Sequence, residues 1–173
     1  NAEKLQEAHS WMDAHKTYKA CAEKYPNGIL ALDANQKAAF SLISLAREQS
    51  EKKSYSESIN TLQMVMDAYP DISEAQDLYA NVLVNWSKEY QAQEKFLSAE
   101  DVLLTLENWA HDGAYEEYIA LSQAELSNLY LGWGENYQKS GESSLALSKY
   151  WQAIQLAPDS DAASRAGDKR IEI

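Results

Sequence analysis

The chain has 173 residues, of which 45% are hydrophobic and 24% are charged, and it holds only six glycines and three prolines. This composition is typical of a folded domain and excludes a disordered or low-complexity segment. The formal net charge of -12 disfavours nucleic acid as a partner and favours basic or neutral ones. No apolar run approaches the roughly 20 residues that a membrane-spanning helix needs, so we expect no direct membrane insertion.

Helical hydrophobic periodicity extends along nearly the whole sequence. In chain order, it predicts helices separated by short loops near 2–8, 10–25, 31–51, 55–69, 72–94, 97–110, 114–139, 142–156 and 159–170.

The three prolines indicate an internal repeat, because each closes an amphipathic helical stretch. Pro26 and Pro70 are 44 residues apart, and Pro158 follows Pro70 by 88 residues, which is twice that interval. The end without a proline falls at Asp112-Gly113, where we expect the glycine to form the turn by adopting a positive φ.

The second helix of each unit has one common register. A small residue is followed four and seven positions later by residues that share its helical face. The small residues are Ala14, Ser58, Ala99 and Ala146; the next column is Tyr18, Leu62, Leu103 and Tyr150; the last is Cys21, Val65, Leu106 and Ala153.

The first helix of each unit has a complementary small residue, at Ala46, Ser87 and Gly134, flanked by larger side chains. Small residues on two antiparallel helices let the backbones approach closely, and the larger side chains fill the grooves beside them. The sequence therefore predicts paired helices.

The last complete unit resembles a tetratricopeptide repeat. The resemblance is carried by Tyr130, Trp133, Gly134, Tyr137, Gly141, Ala146, Tyr150, Ala153 and Pro158. Two earlier units resemble the family more loosely, and the opening unit retains only its second helix and a stub. The resemblance implies an all-α fold, a right-handed solenoid of antiparallel helix pairs, in one domain. That domain would comprise a truncated repeat 1–27, repeats at about 28–71, 72–113 and 114–158, and a polar capping helix in 159–173.

The repeats are longer than those of the family. Successive small residues of the second helices are 44, 41 and 47 positions apart, whereas tetratricopeptide repeats have about 34 residues. The excess precedes the signature of each first helix and contains no helix breaker, so we expect the first helices to be extended by two to three turns at about 3.6 residues per turn.

No motif for catalysis or cofactor binding is recognised, and we predict a protein that is not an enzyme and has no cofactor or metal. His9 and His15 are on different helical faces and, like His111, are interpreted as surface residues. Cys21 lies in an apolar column and is interpreted as a small buried residue. Most aromatic residues fall in repeat columns, and we expect packing roles for the remaining ones, Trp109, Trp151, Tyr79, Tyr115 and Tyr118.

By resemblance, ligands would bind the concave wall formed by the first helices. Counting from the core columns, this surface is predicted to include Gly132 and the following polar residues: Ser44, Arg47, Asn81, Asn85, Lys88, Asn128, Glu135 and Lys139. The carboxylate-binding set of some family members is incomplete here. Asn85 matches best, because a groove asparagine can donate to and accept from a peptide backbone.

The function predicted is a protein- or peptide-binding scaffold, and the alternative is a ligand- or peptide-sensing domain of a larger regulatory protein. The chain opens without a methionine and inside a helical pattern, which is typical of an excised domain. Upstream repeats or self-association through the uncapped amino-terminal end are expected to cover helix 10–25. The compartment stays open: the cytoplasm, or the soluble part of an exported or membrane-anchored protein.

Overall fold

The computed structural model describes residues 2–173, and this part of the chain is all-helical, without a β-strand. Every helix predicted from the periodicity is confirmed, with no bound displaced by more than two residues. The helices are α1 (Ala2–Glu7), α2 (Trp11–Lys24), α3 (Ala31–Glu51), α4 (Tyr55–Ala68), α5 (Glu74–Ala92), α6 (Phe96–Asp112), α7 (Glu116–Lys139), α8 (Ser143–Leu156) and α9 (Asp161–Ile171).

The chain divides into two compact units, and the boundary between Val82 and Leu83 falls inside α5. In the first unit, α2 packs against α1 and α3, and α3 packs against α4. In the second unit, α7 packs against α6, α8 and α9, and α8 also packs against α9. Most of these contacts join helices that are neighbours in sequence, as expected for paired helices.

The small-residue columns lie where helices meet. Ala14, Ala46, Ala99 and Ala146 are fully buried. In the α3–α4 pair, the buried hydroxyl of Ser58 donates a hydrogen bond to the carbonyl of Ala46 at 2.7 Å. A buried serine can therefore replace alanine in this column, because a backbone acceptor on the facing helix satisfies its hydroxyl.

The other two pairs use the same close approach. In α5–α6 the serine is on the first helix, and Ser87 donates to the carbonyl of Ala99 at 3.1 Å. In α7–α8 the ring of Tyr150 lies against Gly134, where an added Cβ would be 2.5 Å from Tyr150 Cε1. The glycine is required because the ring occupies the space of a side chain.

The first helices are extended, as predicted. Helices α3, α5 and α7 have 21, 19 and 24 residues, whereas α2, α4 and α8 have 14 each and α6 has 17.

Five tight turns share one backbone geometry in which a residue in the left-handed region ends the preceding helix. In the turn after α3, the amide of Ser54 donates to the carbonyl of Gln49 and that of Lys53 to the carbonyl of Ser50. These two bonds define a Schellman motif, which satisfies the last carbonyls of the helix. The left-handed residues of the five turns are His9, Lys53, Glu94, Ala114 and Gly141.

The turn after α6 corrects a prediction. Gly113 has a φ of -88°, and the positive φ belongs to Ala114, at 53°. The amide of Tyr115 reaches back to the carbonyl of Ala110, which places the left-handed position one residue later than expected. Glycine is nevertheless needed at position 113, because a Cβ there would be 2.0 Å from the Tyr115 ring.

The proline turns have a different geometry. The residues before Pro26, Pro70 and Pro158 have φ between -139° and -131°, since a following proline disfavours the helical region. Helix α6 has no such proline and runs three residues longer than α4 and α8.

Two interpretations of single residues were wrong. Cys21 is exposed, because the buried face of α2 follows Ala14, Tyr18 and Ala22 in steps of four residues. His15 is buried rather than on the surface. Its Nδ1 lies 3.1 Å from the carbonyl oxygen of Ala38, and its ring is edge-on to Tyr69.

The predicted last helix is present as α9. Ser160 caps it by accepting a hydrogen bond from the amide of Ala163. Its apolar face consists of Ala162, Ala163 and Ala166, which are buried. The rest of its surface is charged or small as far as Arg170, as predicted, and Ile171 at its end is an exposed apolar residue.

Most of the unassigned aromatic residues have packing roles. Tyr79 and Tyr118 are buried, and Trp109 contacts the rings of Tyr115 and Tyr118 at centroid distances of 5.0 and 5.2 Å. Trp151 is the exception, with 53% of its surface exposed.

Candidate binding surface

The predicted surface residues follow polar stripes on the first helices. In the first unit, Ser44 and Arg47 lie on α3 and Asn81 lies on α5. Arg47 Nη2 is 3.0 Å from Oε1 of Glu74, which precedes Asn81 by two turns on the same face of α5. The structure therefore aligns the α3 stripe with the beginning of α5.

In the second unit, Asn85 and Lys88 lie on α5, and Asn128, Glu135 and Lys139 lie on α7. Lys88 Nζ is 3.0 Å from Oε1 of Glu125, three residues before Asn128. Farther along α7, Glu135 pairs with Arg165 of α9 at 3.3 Å.

These ion pairs change how the surface is expected to recognise ligands. Arg47, Lys88 and Glu135 already contact a residue of opposite charge on another helix. Their side chains are on the surface, where such pairs stabilise a fold by only about 0–1 kcal/mol. The pairs therefore join helices while leaving the stripes close to neutral, and sequence spacing alone did not reveal their partners.

The amide side chains of the stripes remain available. Asn81, Asn85 and Asn128 are exposed. Within residues 2–173, none of these three side chains has a hydrogen-bond partner. Each offers one acceptor and two donors, which matches the amide and carbonyl of a peptide backbone.

A shallow cavity of about 270 Å³ adjoins the α3 stripe and includes residues that the sequence did not predict for this surface. Ser44 and Arg47 line it together with His9, Trp11, Glu48 and Glu51. The indole of Trp11 donates to Glu48 Oε2 at 2.7 Å. Hydrogen bonds from Lys52 and then Trp11 lower the pKa of Glu48, so this carboxylate stays charged and engaged with α2.

The second unit contains an aromatic cluster that the sequence did not predict. The Trp133 ring stacks on Phe96 at a centroid distance of 5.5 Å and on Tyr137 at 6.1 Å. Lys149 Nζ lies 3.5 Å from the centroid of Trp133 and 4.7 Å from that of Tyr130. A cation over a ring face is attracted by the ring quadrupole, so Lys149 fills the position that a cationic ligand would take.

The same cluster holds a short hydrogen bond, from the Tyr130 hydroxyl to Glu100 Oε1 at 2.6 Å. Burial, this hydrogen bond and the Glu100 charge together raise the pKa of Tyr130 far above its ordinary value. Burial lowers the pKa of Lys149. Both side chains are engaged inside the cluster, and we assign it a packing role.

Residues 2–173 contain neither a candidate metal site nor a candidate membrane-spanning helix. No three His, Cys, Asp or Glu side chains are grouped so that they could hold a metal ion. No helix in this range is long and apolar enough to cross a membrane.

Comparison with known proteins returns no matching family model and no matching curated protein.

Proposed function

We propose that this chain is a non-enzymatic scaffold that binds another protein or peptide, and that its helix pairs form a tetratricopeptide-like solenoid. The observation that carries the proposal is the set of three exposed asparagines without side-chain partners, Asn81, Asn85 and Asn128. They lie on the predicted stripes of the long first helices. Exposed amides on rigid helices can hold the backbone of an extended segment without ordering a loop.

The charges beside the asparagines favour a neutral main-chain ligand over an acidic one. Arg47 and Lys88 are each paired with a glutamate, and the whole chain is acidic. An acidic peptide would have to displace these pairs against the field of the protein. Main-chain recognition by amides requires no such displacement.

The test is selection of peptides from a displayed random library against the immobilised chain, followed by affinity measurement with the selected peptides. Asn85→Ala is expected to weaken binding by about five- to thirtyfold, because it removes up to two hydrogen bonds. Asn60→Ala, at an exposed position on α4, is the matched control and should bind like the wild type. Methylation of the peptide's backbone amides should reproduce the loss.

Unchanged affinity of both Asn85→Ala and the triple variant Asn81→Ala, Asn85→Ala, Asn128→Ala would refute recognition by these amides. Failure to select any peptide would count against the scaffold itself.

A further inference from the structure

A second cavity lies in the first unit, beside the turn that contains Pro70 and joins α4 to α5. Its volume is about 320 Å³, at the lower end of the range of about 300–1,000 Å³ for ligand sites. Its apolar lining includes Leu32 at the start of α3, Ala68 and Tyr69 at the end of α4, and Pro70 and Ile72 of the turn. This size suits one large side chain.

Leu32 of this cavity follows an exposed apolar segment of the chain. Leu32 is 70% exposed, and Leu30 and Ile29 before it are 71% and 98% exposed. Three large apolar side chains within four residues contact water, although single exposed apolar residues are ordinary on a protein surface. An exposed apolar segment that leads to a cavity is typical of an interaction site.

The polar groups of the cavity select the charge of the ligand. Asp71 lines the cavity and, among the described residues, its carboxylate has no ion-pair or hydrogen-bond partner. Asn35 and Gln36 also line it, and no lysine or arginine does. The nearby Lys37 is held by Asp33 at 3.1 Å and Glu3 at 3.6 Å. A cation is therefore attracted here and an anion is repelled.

We propose that this cavity docks a segment of a partner protein that presents a large apolar side chain next to a lysine or arginine. The apolar side chain enters between Leu32, Tyr69 and Ile72, and the cation contacts Asp71 at the rim. The charge complementarity of Asp71 and of the acidic chain identifies the occupant as basic, which also disfavours a second copy of this protein. This docking site is separate from the asparagine stripes and does not depend on the function proposed for them.

The experiment titrates the intact chain with two capped dipeptides, acetyl-Trp-Lys-amide and acetyl-Trp-Glu-amide, and follows backbone amide shifts by NMR. The lysine probe is expected to shift the amides of 30–36, 68–69 and 71–72, and to bind about fivefold more tightly than the glutamate probe, as one surface ion pair allows. Asp71→Asn, which preserves shape, should weaken binding of the lysine probe and bring the affinities of the two probes close to each other. Leu32→Glu should abolish the local shifts for both probes.

The control for Leu32→Glu is Leu97→Glu in the other unit, where the leucine is 67% exposed; it adds the same charge and should leave the shifts unchanged. Asn85→Ala should also leave them unchanged, which separates this site from the asparagine stripes. Equal binding of both probes, shifts spread evenly over the surface, or an Asp71→Asn variant that binds like the wild type would overturn the proposal.

Discussion

Gly134 is the position where one atom decides how closely two helices approach. The Tyr150 ring occupies the space that a Cβ at position 134 would fill. The hydroxyl of this tyrosine donates to Gln138 Oε1 on α7 at 2.7 Å. The ring is thus fixed at both ends between α7 and α8 and cannot move aside without losing this hydrogen bond.

Gly134→Ala is accordingly expected to lower the free energy of unfolding by about 1–3 kcal/mol through overpacking. The control is in the same helix: a Cβ on Gly132 would meet nothing within 4 Å, so Gly132→Ala should raise stability by about 0.5–1 kcal/mol through helix propensity. Urea denaturation of both variants measures the difference. Equal effects of the two substitutions would show that the close approach at Gly134 does not limit packing.

At the scale of the helices, five tight turns with a left-handed residue connect one helix to the next. Four of the five Schellman turns use a residue with a side chain in the left-handed region, and only the turn after α7 uses glycine, Gly141. A left-handed conformation costs an L-residue about 1–2 kcal/mol. Relative to glycine at the same position, part of this cost is offset, because glycine loses more backbone entropy on folding. These turns are therefore strained but compensated by the packing of the helices that they connect.

One substitution in each of two of these turns tests that strain. Glu94 has φ 57° and is exposed, so Glu94→Gly is expected to stabilise the fold by about 0.5–1 kcal/mol. Gly141→Ala, where a Cβ would meet no atom within 4 Å, should destabilise it by about 1 kcal/mol through φ alone. Thermal unfolding followed by circular dichroism measures both. A Glu94→Gly variant less stable than the wild type would contradict the interpretation.

At the scale of the whole molecule, the tyrosines predict a loss of stability in alkali. Burial is the largest cause that raises the pKa of each of the following: Tyr18, Tyr69, Tyr79, Tyr130 and Tyr150. Above about pH 10, phenols of the unfolded chain lose protons that the folded chain keeps. Their contribution to stability is therefore fully present below that pH and declines as the pH rises.

Tyr130→Phe should flatten this decline by at most about 1.4 kcal/mol per pH unit, the contribution of one titrating group. Chemical denaturation at a series of pH values from neutral to alkaline measures the slope, and absorbance at alkaline pH counts the ionised phenols. Tyr25→Phe, which removes a phenol that is 58% exposed, serves as control. Identical slopes for Tyr130→Phe and the wild type would show that this phenol does not titrate above its ordinary range in the folded chain.

The sequence by itself determined the helices, their bounds to within two residues, the long first helices and the pairing columns apart from Cys21. These features depend on residues that are close in sequence, such as Ala46 and Ser58, which lie on either side of one short loop. The exposure of Asn81, Asn85 and Asn128 also followed from counting along single helices. Whether they bind a partner is the prediction that the peptide experiment addresses.

The tertiary structure decided every feature that joins residues distant in sequence. It pairs Arg47 with Glu74 and Lys88 with Glu125, buries His15 against α3, and places Lys149 over Trp133. It also encloses the cavity beside Asp71 between two helices and a turn. Helical periodicity fixes which face of a helix is apolar, but not which polar groups of other helices that face will meet, because those distances depend on how the helices pack.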